Sequence, residues 1–204
     1  MTTEPQRIIE IMGRAVPLRE DNVDTDRITP AVALMEPTFD NMAAYLFRDA
    51  RKSDPRHPLN DPKYQGATLL VVGKNFGSGS SRESAPQAIT RAGFRALIGE
   101  SFAEIFAGNC NVLGIPAVVA SHEAIALLFA AAERRPETLY RLNLETKTLT
   151  FEADGGMQRL AIDLAEPRRV ALLSGSWNSL AMLQANEARV RQVAAALPYM
   201  NEFR

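Results

Sequence analysis

Apolar positions first gather over residues 8–18, Ile-Ile-Glu-Ile-Met-Gly-Arg-Ala-Val-Pro-Leu, which predicts a strand pair or a strand with a turn. A polar, acidic loop follows over 19–27. Residues 38–50 predict a short helix with Tyr45, Leu46 and Phe47 as apolar anchors. Residues 51–65 carry three prolines among charged side chains, the texture of an exposed, mobile loop. Beyond it, Ala67 to Val72 is an apolar run between Gly66 and Gly73, the pattern of a buried strand. A Gly/Ser turn leads into a helix over about 82–92. Residues 94–98 predict the next strand, 102–106 a short helix, and 116–120 a third strand. Ser121 is placed to cap a helix over 122–134. Strand and helix alternate three times, which argues for a parallel α/β arrangement.

After Pro136 the period changes. Residues 139–144, 146–152 and 158–162 predict strands, with alternation clearest at Leu149-Thr-Phe-Glu152. Leu180, Leu183, Val190, Val193 and Leu197 fall near one helical face and predict one or two C-terminal helices. The chain therefore reads as α/β: one α/β/α-type domain over 1–204 with extra β hairpins. Its core spans about 8–165 and a helical tail about 166–204.

Composition narrows the chemistry. The 204 residues are 46% hydrophobic, enough for a sizeable core and too apolar for a disordered chain. Charges nearly cancel, 23 Lys+Arg against 24 Asp+Glu, which removes the usual electrostatic case for nucleic acid. A single cysteine, Cys110, excludes an intrachain disulfide and makes a reducing cytoplasm the expected setting. That one thiol, with only His57 and His122, cannot ligate an iron–sulfur cluster or a Cys/His zinc centre. The first residues lack the basic-then-apolar order of a signal peptide, and no apolar run nears the roughly 20 residues of a membrane span.

The densest signal is Gly73-Lys-Asn-Phe-Gly-Ser-Gly-Ser-Ser-Arg-Glu-Ser-Ala-Pro86, where a strand ends and a helix begins. Unpaired N–H groups and the positive end of the helix dipole face a ligand there. Gly77 and Gly79 permit tight turning, and Ser80, Ser81 and Arg82 add hydroxyls and a guanidinium. A small polycarboxylate or phosphate would suit such a place. An ordinary helix start explains the same residues equally well, because Ser80-x-x-Glu83 is a capping box and Ser84-x-x-Gln87 a second one. The segment lacks the Gly-Lys of a P-loop and the order of an esterase elbow.

Three ordered motifs carry a resemblance over nearly the whole chain. Asn75-Phe-Gly-Ser-Gly-Ser-Ser-Arg-Glu83 with Ala85-Pro86 resembles the signature of the aconitase superfamily's swivelling domain. Asn22-Val-Asp-Thr-Asp-Arg-Ile-Thr-Pro30 resembles its second signature, and Ser101-Phe-Ala-Glu-Ile-Phe-Ala-Gly-Asn109 with Leu113-Gly-Ile-Pro116 its third. Asn178-Ser-Leu and Leu197-Pro-Tyr-Met-Asn201 are similar to the tail of bacterial 3-isopropylmalate dehydratase small subunits. The resemblance implies a compact β/β/α swivelling domain and a partner large subunit bearing a four-iron–four-sulfur (4Fe-4S) cluster, with none bound by this chain. It implies a hydro-lyase of leucine biosynthesis acting on 2-isopropylmalate. Citraconate/2-methylmalate, dimethylmalate and homoaconitate are the related substrates, and a non-catalytic carboxylate-binding or assembly module is the alternative of another class.

The resemblance also assigns roles. Ser80 matches the catalytic serine, whose alkoxide would take a proton from carbon next to a carboxylate. Asp26 matches an acid that organises the site. Ser81 and Arg82 match substrate-carboxylate ligands, with Ser78, Gly79 and Thr29 beside them. Two departures stand out. Ser84 replaces the usual His, and Ser78 a frequent Cys. Where aconitase places an arginine for the substrate's γ-carboxylate, this chain reads Glu36-Pro-Thr38, which favours an apolar γ-substituent. Arg48 and Arg51 lie in the region that varies with substrate, and are candidates to reach substrate or the large subunit. Cys110 is expected as a buried small hydrophobe, His57 as solvated, His122 in a first helical turn, and Trp177 in the core or a partner interface.

Overall fold

The computed structural model describes residues 6–79, 82–153, 155–201 and 203. Its elements in chain order are β1 (Glu10–Gly13), β2 (Ala15–Leu18), α1 (Thr25–Ile28), α2 (Arg48–Ser53), β3 (Leu69–Val72), α3 (Ser84–Arg91), β4 (Ala96–Gly99) and α4 (Glu104–Val112). There follow β5 (Ala117–Val119), α5 (His122–Arg134), β6 (Tyr140–Asn143), β7 (Thr148–Ala153), β8 (Gly156–Ala161), α6 (Glu166–Ser174), α7 (Ser179–Ala185) and α8 (Glu187–Ala196). Two four-stranded sheets result: a parallel one ordered β2-β3-β4-β5 and an antiparallel one ordered β1-β6-β7-β8.

The parallel sheet is covered on both faces, and the alternation of its side chains shows how. Leu70 and Val72 join Val16, Leu18 and Leu97 against α3, α4 and the turns after β2. Their neighbours Leu69 and Val71 point the other way, joining Ala96, Ile98 and Val118 against α5 and the antiparallel sheet. A strand buried on both sides must read as an unbroken apolar run, which is why Ala67 to Val72 was legible. Pro17 lies in β2, an edge strand, where a missing N–H is tolerated. Tyr140, Leu142, Leu149 and Phe151 of the antiparallel sheet complete the second core. This is the β/β/α layering that the resemblance implies.

Residues 8–18 form two strands that do not pair with each other: β1 joins the antiparallel sheet and β2 the parallel one. Arg14 makes the crossing, its guanidinium donating to the carbonyls of Lys63 (3.3 Å) and Gln65. The helix expected over 38–50 is a 3-10 turn (Met42–Tyr45) followed by α2, interrupted by Phe47 in the left-handed region at φ 50°. Leu46 and Phe47 are buried as anchors.

The 51–65 segment differs most from its expectation. Beyond the end of α2 it folds into two 3-10 turns, Pro58–Asn60 and Pro62–Tyr64, each opening on proline and capped by the preceding side chain, His57 or Asp61. Tyr64 and His57 are buried, so the expectation of a solvated His57 is overturned. Proline counted there as a marker of disorder, whereas at the first position of a turn its fixed φ helps to nucleate structure.

Helix starts show the same mixture. Ser121 caps α5 as expected, its hydroxyl accepting from the Ala124 N–H at 3.2 Å. α3 begins at Ser84, two residues later than expected, and no side chain caps it among the described residues. Glu83 instead accepts from the Gln87 side chain at 2.9 Å. α4 runs on to Val112 because Phe106, Ala107 and Cys110 bury one face, outweighing Gly108 within it. The apolar stripe falls on two helices, α7 and α8, as expected, and among the described residues α6 precedes them. Their stripe of Leu180, Leu183, Val190 and Val193 faces outward, between 47% and 64% exposed.

Removing the α5 cap by Ser121→Ala is expected to cost about 1 kcal/mol. Truncating the fully buried Leu70 to Ala should cost roughly 2–5 kcal/mol. Urea unfolding of the purified chain checks both, and equal losses would contradict this picture of the core.

Candidate active site

The three motifs follow the carboxyl ends of three adjacent parallel strands. Residues 19–30 leave β2, 73–83 leave β3 and 100–109 leave β4. In open α/β sheets this edge is where ligands bind. Backbone bonds knit the three loops together. The Lys74 N–H donates to Asp21 Oδ1 (2.7 Å), and the Asn75 N–H to Ser101 Oγ (2.8 Å). The N–H groups of Gly77 and Ser78 both donate to the Val23 carbonyl, at 2.8 and 3.2 Å. Thr25 returns a bond to the Ser78 carbonyl at 2.9 Å.

Gly77 makes this docking feasible. Its φ is +79°, and a Cβ there would overlap the Phe106 ring. Gly79, at φ +90°, passes Asp24 and Thr25 with just enough room for a Cβ. Asp24 caps α1 by accepting from the Arg27 N–H at 2.7 Å. The first turn of α1 therefore presents Asp26 towards Arg82, and the two form an ion pair across 56 positions of sequence. Asp26 is half-exposed and Arg82 about one-quarter exposed, so the pair sits at a surface and not in the core.

A cavity of about 190 Å³ opens beside Arg82. Thr25, Gly77 and Gly79 form one side, and Ala103 to Phe106 with Asn109 the other. It thus joins a cation and small polar groups with the apolar Ala103, Ile105 and Phe106, and also holds Glu104, which pairs with Arg168. Larger clefts, about 500 Å³ beside the 58–68 turns and about 600 Å³ between α5 and β8, are lined by no residue of the three motifs.

Of the residues singled out from the sequence, Gly79 and Arg82 line this cavity, Asp26 pairs with Arg82, and Ser78 lies in the turn beside them. Thr29 is fully buried, and its hydroxyl has no hydrogen-bond partner among the described residues. Ser84 is likewise buried, its hydroxyl without a partner among the described residues. Ser80 and Ser81 lie outside the described residues.

The remaining candidates sit apart. Arg48 pairs with Asp49 at 3.0 Å and lies over the Tyr45 ring, while Arg51 donates to Asn60 Oδ1 at 3.0 Å. Both are spent within their own segment. Cys110 is fully buried, and burial raises its thiol pKa far above the ordinary range. His122 opens α5 and bonds Glu100 at 2.8 Å, which raises its pKa. Trp177 is half-buried, its ring over Gly114 and its N–H donating to the Gln6 carbonyl at 2.7 Å. Among the described residues no cluster of three or more His, Cys, Asp or Glu could hold a metal ion, and no helix is long and apolar enough to cross a membrane.

Comparison with known proteins settles the family. The aconitase C-terminal domain family matches residues 6–122. A 3-isopropylmalate dehydratase small subunit from Thermus thermophilus is 45% identical over 95% of this chain and 96% of its own. One from Synechocystis is 42% identical over 96% of each. The chain belongs to this family of small subunits. The crystal structure of 3-isopropylmalate dehydratase from Methanocaldococcus jannaschii superposes with a TM-score of 0.65 at 25% identity, covering 91% of this chain and 98% of that one. The family resemblance of the three motifs and the β/β/α layering are thereby borne out.

Three polar cavity residues, Thr25, Glu104 and Asn109, escaped the sequence reading, as did the apolar Ala103, Ile105 and Phe106. Thr25 lies inside the second signature and Asn109 closes the third, yet neither was marked as a site residue. The i, i+4 spacing of Ile105 and Asn109 on one helix, following a loop at a strand's carboxyl end, is the signal that could have found Asn109.

Gly77→Ala is expected to destabilise the chain by more than the roughly 1–2 kcal/mol of a left-handed L-residue, because the added carbon meets the Phe106 ring. Gly93, at φ +93° with open space around it, supplies the control, since Gly93→Ala should cost only the conformational part. Denaturant midpoints that coincide for the two variants would refute the steric role of Gly77.

Proposed function

We propose that this chain is the small subunit of a two-chain hydro-lyase that interconverts 2-isopropylmalate and 3-isopropylmalate by dehydration and rehydration, a step of leucine biosynthesis. The observation carrying this reading is the Arg82–Asp26 pair beside a small cavity, in a chain 45% identical to a named small subunit over almost its whole length.

In this reading Ser80 is the base. As an alkoxide it takes the proton from the carbon next to a carboxylate as hydroxide leaves the adjacent carbon, so that the proton on the serine and the released hydroxide together account for the water lost. Rehydration returns the proton and the hydroxyl to exchanged carbons. A free serine hydroxyl is too weak an acid for this at neutral pH, so backbone N–H groups and positive charge must stabilise the anion. Arg82 supplies that charge and, with Ser81, holds a substrate carboxylate. Asp26 keeps the guanidinium aimed, Ser78 and Gly79 shape the turn, and Thr29 supports it from beneath.

The family resemblance assigns the substrate's third substituent to the segment around Glu36-Pro-Thr38. In the region where a citrate enzyme would place an arginine, Glu36 instead accepts a 2.5 Å hydrogen bond from the Tyr45 hydroxyl. The preceding turn, Ala31–Met35, exposes Val32, Leu34 and Met35. An acid and an apolar turn suit an alkyl group and oppose a third carboxylate, which separates isopropylmalate from homoaconitate.

An iron–sulfur cluster does not fit this chain, whose one thiol is sealed in the core. The four-iron–four-sulfur cluster implied by the superfamily belongs on the large subunit in this proposal, and no step above passes through it. The lone free thiol accords with a reducing cytoplasm.

The deciding experiment combines this chain, anaerobically, with an isopropylmalate-type large subunit and follows isopropylmaleate by its ultraviolet absorbance. Turnover should require both chains. Ser80→Ala should lower kcat by roughly 10²–10⁴-fold, and Arg82→Lys should raise KM by about ten- to a hundredfold. Full turnover in Ser80→Ala would remove the serine from the chemistry. A formed complex that consumes only a different 2-alkylmalate would reassign the substrate, and one that consumes none would leave a carboxylate-binding or assembly module.

A further inference from the structure

We propose that His57, acting through Phe47, is a positioning residue that sets the Gly77–Gly79 turn and the Asp26 helix. The inference rests on the active-site reading above, although no motif contains either residue.

The argument begins with an unusual backbone. Phe47 is fully buried and held at φ 50°, a strained conformation that an L-residue keeps only where its surroundings hold it. Its N–H donates to the Ile28 carbonyl at 2.7 Å, gripping the last turn of α1, the helix that carries Asp26. Its ring lies 5.5 Å from that of His57 on one side and 6.4 Å from Phe76 on the other. Phe76 immediately precedes Gly77 and meets Phe106 edge-on at 5.6 Å. Phe106 in turn fills the space above Gly77. Phe47 therefore touches both halves of the site, through its backbone and through its ring.

His57 holds Phe47 from behind. It is buried, and its Nδ1 accepts from the Leu59 N–H at 3.2 Å, capping the turn that follows. Only the neutral ring with a free Nδ1 lone pair can do this. The charged groups facing it are Glu20 from the loop after β2, Arg27 from α1, and Arg51 and Asp54 from α2 and its end. Glu20 is paired with Arg27 at 2.6 Å. Burial is the largest influence and lowers the pKa of His57 from its ordinary 6.5. The unfolded chain thus binds the proton first as pH falls. The stability contributed by the neutral ring is complete above about 6.5 and is lost as pH drops through the lower folded value. Protonation breaks the cap and places a charge against Phe47.

The test has two arms. In the full chain, the amide resonances of Gly77 and Gly79 should shift with pH in step with the His57 ring, with a midpoint below 6.5. His122 is separable because Glu100 moves its titration above that value. In His57→Asn, whose side-chain oxygen can still accept from Leu59, and in Phe47→Leu, which removes the intervening ring, the shifts should vanish. In the complex, His57→Ala should lower kcat by about ten- to a hundredfold, with His57→Asn restoring activity and flattening the acid limb of the wild-type pH profile. Gly77 and Gly79 amides that stay still through the His57 titration would overturn the proposal. So would a folded His57→Ala with the wild-type kcat and pH profile. An inactive wild-type complex would instead count against the proposed reaction, and the amide titration of the chain alone would remain decisive for the positioning role.

Discussion

The site depends on one backbone contact: the strip at 22–25 lying against the turn at 77–78, closed by bonds from Gly77 and Ser78 to Val23 and from Thr25 to Ser78. Two loops from neighbouring strands approach this closely only if one gives up its side chain and turns to positive φ. Gly77 does both, beneath the Phe106 ring that leaves no room for a Cβ. Once the strips are docked, the rest follows in sequence. Asp24 is placed to cap α1, the cap fixes Asp26 in the first turn, and Asp26 meets Arg82. Chemistry drawn from positions 56 residues apart is thus registered by main-chain hydrogen bonds, which are less forgiving of drift than long charged side chains.

The parallel sheet makes that contact available. Its strands are short, four residues or fewer, and apolar on both faces, so their positions are fixed by two cores at once. Loops leaving the same edge inherit that rigidity at their first residues and become freer further out. Residues 22–25, 75–79 and 101–103 are all within a few positions of a strand end, and they carry the knitting bonds. The turn at 31–35 is further from its strand and exposes its apolar side chains.

What could be read from the sequence follows the range over which each signal acts. β3 and the Ser121 cap depend on residues within a few positions, and both were legible. So were the three motifs, because glycine, asparagine and serine were needed there for backbone reasons that leave few substitutes. Where partners are distant, the reading failed. Nothing local says that Phe47 closes over His57, so a Pro-rich stretch holding a buried histidine and tyrosine was read as solvated loop. The Leu180–Val193 stripe was legible in part. Periodicity correctly reported an apolar helical face, but it cannot report what covers that face, and among the described residues nothing packs over most of it. Thr25 and Asn109 were missed because a cavity is defined by walls from three loops, none of which marks it alone.

Electrostatics give a physical reason for a second chain. In open water an ion pair as exposed as Asp26 with Arg82 is worth about 0–1 kcal/mol, and salt screens it further. Such a pair can orient a guanidinium but gives only a weak hold on an anionic ligand. The same charges in a site closed to water act several-fold more strongly, since interaction energy scales inversely with the effective dielectric constant. The cavity beside Arg82, at about 190 Å³, is also smaller than the roughly 300–1,000 Å³ of sites that enclose a ligand. Its geometry is that of one wall: donors, a cation and an apolar rim fixed to a rigid sheet edge, facing outward. Covering that edge would both complete the volume and lower the dielectric. A subunit that closes over it would thereby switch on the charge stabilisation that this chain has arranged but, standing open to solvent, cannot use.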